Sequence, residues 1–210
     1  MTSKNRLVIW MGLLGAAVCL AARAPETNEV ARLKSEDAEV RKQAAAAIME
    51  EHRQTVAGLE ALINGCLEGR DWEKIDEELV SGSIQGKAVP AKYLSAASAM
   101  LVLGELRSAS SVPLLVRYLG FTPSKSVVMD HPVLETYPAA EALAKIGMPS
   151  LGPLIELYKE RPNVTRYQTF LILDEVLGRD LMRAYLQSAI AAEKNPEKRA
   201  ILKQILPGPQ

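Results

Sequence analysis

Apolar residues recur every three or four positions through most of the chain, the spacing of helices with one buried face. Ala99, Leu103 and Leu106 fall on one such face and predict a helix from about Leu94 to Arg107. A short polar stretch follows, then Leu114, Leu115, Tyr118 and Leu119 supply the face of a second helix. Forty residues later the pattern returns without a gap: Ala99–Leu119 lies over Ala139–Lys159. Ala99/Ala139, Leu103/Leu143, Ser110/Ser150, Pro113/Pro153, Leu114/Leu154 and Tyr118/Tyr158 are identical, and Leu106/Ile146 and Leu115/Ile155 are conservative. A fixed period of this size marks an array of helix pairs.

Punctuation sharpens the boundaries. Ser110 and Ser111 are suited to cap a helix start, and Pro113 falls in a first turn, where proline is tolerated. Gly147 is placed to stop the first helix of the later copy, with Ser150 and Pro153 early in the next. Upstream, Val40, Ala44, Ala47 and Ile48 predict a helix capped near Ser35. Val56, Leu59, Leu62, Ile63 and Cys66 predict a second from about Thr55. Downstream, Thr165–Leu177 and Asp180–Ala192 form a pair broken at Gly178. Asn195 before Pro196 opens a last helix that ends near Leu206. The expectation is therefore an all-α chain with pairs near residues 35–66, 94–119, 135–159 and 165–192, and a capping helix over 195–206.

These residues resemble the HEAT-repeat family. Asp37, then Val40-Arg41 and an alanine-rich run, is similar to the family's first-helix signature. LGELRSASSVPLL and LAKIGMPSLGPLI resemble its junction between helices. Arg41 has no counterpart in the second and third pairs, and the step to the fourth pair is about ten residues shorter than the step before it. The resemblance implies an α-solenoid of about four helix pairs in a right-handed superhelix, and it implies no common catalytic residues.

Composition adds the compartment. Lys4 and Arg6 precede an uncharged apolar run, Leu7–Ala22, and then small residues before Pro25. This is the layout of a secretory signal, with an uncleaved anchor through residues 7–22 as the alternative. Residues 25–210 are read as a single domain. The run is short for a membrane span, which takes roughly 20 apolar residues. Cys19 is a poor lipidation site, because Val18 stands where a small residue is wanted. The full chain carries 25 basic and 25 acidic residues; loss of residues 1–24 leaves a net charge of −3. A near-neutral chain offers no electrostatic footprint for nucleic acid, and a membrane is reached only through the N-terminal segment. Cys66 is then the lone thiol, which excludes an intrachain disulfide and cysteine-pair zinc sites.

Function is sought where repetition fails. About 25 residues, 67–91, separate the first and second pairs, and about 15, 120–134, separate the second and third. In stacked pairs, connections between pairs share one edge, so both insertions are expected there. They either bind a partner or cover helix ends. Trp72, with Ile75 and Leu79 at helical spacing, is either an anchor for a partner or part of the core. The acidic strip around it lacks the loop spacing and turn glycines of a calcium site, so no metal or cofactor is expected. Asp130 beside His131 is the one adjacent Asp–His pair, but no second histidine is near in sequence, and no catalytic residue is assigned. Cys66 lies on an apolar stripe, and Asn163-Val164-Thr165 matches a glycosylation acceptor that matters only in a eukaryotic secretory route. The reading is an exported, non-enzymatic protein-interaction scaffold that uses its concave face or the insertions. Trp72, Lys87, Phe121, Lys125, Asp130 and His131 are the candidate contacts. The alternatives are an enzyme or auxiliary enzyme on the same scaffold, and an envelope protein held by its N-terminal helix.

Overall fold

The computed structural model describes Arg32, Ser35, residues 37–123 and residues 133–206. It is all-α, with no strand among the described residues. Helices α1 (Ala38–Leu67), α2 (Trp72–Ile84), α3 (Ala91–Glu105), α4 (Val112–Arg117), α5 (Pro138–Ile146), α6 (Met148–Glu160), α7 (Pro162–Ala192) and α8 (Pro196–Ile205) follow in order, with 3-10 turns at Ala109–Ser111 and Leu134–Thr136. Among these helices none is long and apolar enough to cross a membrane. The N-terminal 24 residues, with their signal or anchor, lie outside the described residues.

The chain divides into two compact units, Met1–Thr55 and Val56–Gln210. In the first, Asp37 caps α1: its Oδ1 accepts from the Glu39 amide at 2.8 Å, while the Arg41 guanidinium donates to the Ser35 carbonyl at 2.8 Å. The expected break near Thr55 is absent, and α1 runs for 30 residues. The stretch from Ile48 to Val56 contains neither glycine nor proline, so nothing local stops the helix.

The second unit holds the repeat. Helices α3 and α5, the first members of the two copies, pack on each other, and so do α4 and α6, the second members. Ala99, Leu103, Leu115 and Tyr118 are buried, as are their counterparts Ala139, Leu143, Ile155 and Tyr158. The close fit of α3 and α5 depends on Gly104, where an added Cβ would lie 2.6 Å from the Cα of Ala142. Helix α7 packs on α5 and α6, and α8 covers α6 and α7 with Leu202 and Ile205.

The copies differ in detail. Ala109–Ser111 form a 3-10 turn before the six-residue α4, whereas α6 begins a turn earlier, at Met148. Pro113 therefore sits in the first turn of its helix, and Pro153 lies inside α6. Neither Ser110 nor Ser111 caps α4 with its side chain. The Ser111 hydroxyl instead donates to Glu60 Oε1 at 2.7 Å. The Tyr158 hydroxyl donates to the Ile201 carbonyl at 3.2 Å, while that of Tyr118, equally buried, meets no partner among the described residues.

The other expected breaks are present. Gly147 separates α5 from α6 at φ +80°, and Gly178 kinks α7 at φ +67°, ψ +165°, a region open essentially to glycine alone. Asn195 caps α8, its Oδ1 accepting from the Glu197 amide at 2.8 Å and the Lys198 amide at 3.2 Å.

Candidate interaction edge

Residues 67–91 form a docked helix rather than a free insertion. Trp72, Ile75 and Leu79 recur at the spacing of one helical face, and all three are buried. Asp71 precedes α2 in extended conformation, and Gly86 at φ +71° lies just past its end. The indole of Trp72 lies over Gly120: a Cβ there would come within 2.5 Å of its ring. Glycine is thus the seat of the tryptophan, and the first insertion touches the start of the second.

Charged groups fasten the same segment. The Arg117 guanidinium donates to the Gly69 carbonyl, and Lys92 pairs with Glu68 at 2.9 Å. Arg70 pairs with Glu78 at 2.8 Å, and the two share the Tyr93 hydroxyl, which accepts from Arg70 and donates to Glu78 at 3.1 Å. The hydrogen bond from Lys92 holds the Glu68 carboxyl below the ordinary value of 4.5, and the bond from Arg70 does the same for Glu78. The same pairings push Lys92 and Arg70 up. Phe121 meets the Tyr93 ring edge-on, with centroids 6.2 Å apart. Further along, Glu73 pairs with Arg161 at the start of α7. Tyr137 is raised above its ordinary value mainly by burial, then by the nearby Tyr167 and Asp76, against a hydrogen bond with Gln168.

The candidate contacts therefore separate. Trp72, at 8% exposure, and Phe121, at 1%, belong to the core and offer no surface to a partner. The reason is long-range: Gly120 and Tyr93 supply apolar seats that aromatic residues fill better than water does. Lys87 is exposed beside a groove of about 300 Å³ between the end of α2 and the loop to α3. Lys125, Asp130 and His131 lie outside the described residues. Cys66 is a half-buried free thiol, packed against the core. Thr165 is buried with its hydroxyl donating to the Arg161 carbonyl at 2.8 Å, while Asn163 of the same triplet is exposed.

A second groove, of about 510 Å³, lies between the start of α7 and the end of α8. Tyr167 and Val164, both exposed, line it with Phe170, Ile205 and Leu206. Sequence reasoning missed it. The available signal is the step of three from Val164 to Tyr167 to Phe170, which extends the inward face of α7 beyond the part that is covered. No group of three or more His, Cys, Asp or Glu residues among the described residues is arranged to hold a metal ion.

A scan against protein-family models found no match, and searches of curated proteins and of solved structures returned no relative.

Proposed function

We propose that the chain is an exported HEAT-like α-solenoid that serves as a protein–protein interaction scaffold. The observation that carries this reading is the packing of first helix on first helix and second on second across the forty-residue repeat. That is how stacked pairs build a rigid, extended surface with no chemistry of its own. The 510 Å³ groove is the best contact surface, because it exposes Tyr167 and Val164 over an apolar floor. Lys87 and its smaller groove are the second. Export rests on the N-terminal pattern of basic start, apolar run and small-residue exit.

Photo-crosslinkers placed singly at Tyr167, Lys87 and, as a control, the exposed Gln187 test the scaffold in its native cell. One partner captured from Tyr167 or Lys87 and not from Gln187 is the expected result. Equal capture from all three, or from none, would overturn the reading. N-terminal sequencing of the protein recovered from each cell fraction tests export separately.

A further inference from the structure

We propose that α2 is a detachable strap, which opens as a unit while α3–α8 stay folded. The interface beneath it is mixed. Trp72, Ile75 and Leu79 contribute apolar burial. Against them stand buried polar atoms with no partner among the described residues, Arg70 Nε and Glu73 Oε2. Water satisfies such groups when the interface opens, so each one offsets part of the gain from docking.

The remaining fastenings are also of a releasable kind. The Arg70–Glu78, Lys92–Glu68 and Arg161–Glu73 pairs are each at least partly exposed, where water competes for both partners. The far half of the helix is barely held: Val80 is 37% and Ile84 78% exposed. Glycines flank the segment, with Gly69 at φ +65° before it and Gly86 at φ +71° after it. Opening uncovers Gly120, the seat of Trp72, and frees Arg161 from Glu73.

Native-state amide exchange on the full chain, read by mass spectrometry, tests this without any partner and so independently of the scaffold reading. Amides of Trp72–Ile84 should exchange at least about 100-fold faster than the slowest amides of α3 and α5, in one concerted step. Gly120→Ala crowds the Trp72 seat and should speed α2 exchange by about tenfold, without change in α3 and α5. Arg161→Gln serves the same purpose should Gly120→Ala not fold. If α2 exchanges no faster than α3 and α5, or if neither Gly120→Ala nor Arg161→Gln alters its rate, the strap is a fixed part of the core.

Discussion

Gly104 lies so close to Ala142 that a Cβ added to the glycine would stand 2.6 Å from the alanine Cα. The obstacle is backbone, not the end of a side chain, so α3 and α5 must move apart to admit a methyl group. Alanine in a helix interior is worth about 1 kcal/mol over glycine. Overpacking a tight interface costs about 1–3 kcal/mol, and here no side chain can swing away. Gly104→Ala should therefore destabilise the protein, with a lower urea midpoint and an unchanged slope. An equal or higher midpoint would show that the two helices are not held at this distance.

The tyrosines at equivalent repeat positions should respond in opposite directions. Tyr158 donates to the Ile201 carbonyl, and Tyr158→Phe should cost about 1 kcal/mol. Tyr118 is as deeply buried but has no partner for its hydroxyl among the described residues. Tyr118→Phe should be neutral or stabilising by up to about 1 kcal/mol. Thermal melts of the two variants side by side provide the check, and equal losses would refute it.

Acid should weaken the link between α6 and the end of α7. Lys159 bridges Glu156 at 2.8 Å and Glu193 at 2.7 Å. The Lys159 hydrogen bond and the Asn195 amide hold Glu193 below its ordinary 4.5. A carboxyl lowered in this way adds stability above about pH 4.5, and that stability is lost as pH falls through the folded value. Lys159 is raised above 10.5, by Glu156 first and Glu193 second, so its share is full below that value and is lost as pH rises through the raised one. Glu68 and Glu78 act in the same sense as Glu193. The melting temperature should be flat near neutrality and fall below pH 4.5, with a shallower acid limb in Glu193→Gln. An acid limb of unchanged depth in that variant would remove Glu193 from the account.

Asn195 is the clearest cap in the molecule. Replacing it with alanine strips two amide partners from the start of α8 and should cost about 1 kcal/mol. The loss should appear first as faster amide exchange over Glu197–Arg199. Asn195→Asp should retain most of the stability, and its failure to do so would point to a role other than capping.

Much of this architecture was legible in the residues because it is set locally. The period of Ala99, Leu103 and Leu106 and its return at Ala139, Leu143 and Ile146 place one helix each. Gly147, Gly178 and Asn195 act within a few residues of themselves, and each sits at the boundary expected of it. The errors arise where a distant residue decides. Ser111 is suited to a cap, but Glu60 takes its hydroxyl from 51 positions away. Trp72 and Phe121 each admit both a surface and a core reading from sequence, and Gly120 and Tyr93 decide for the core. The continuity of α1 is a different case: a pair was expected from the repeat, while the sequence from Ile48 to Val56 contains no residue able to break it.

The clasp between Glu73 and Arg161 spans 88 residues of chain. Synthesis proceeds at about 5–20 residues per second, so roughly 4–15 s separate completion of α2 from the emergence of Arg161, and about 2–7 s from that of Gly120. Through the shorter interval Trp72 has no glycine seat to occupy, and through the longer one Glu73 lacks Arg161, so the helix that carries them is an early product waiting on late sequence. The nascent chain therefore displays a sticky acidic helix for seconds, which makes this segment the natural point of engagement for any chaperone that attends its birth.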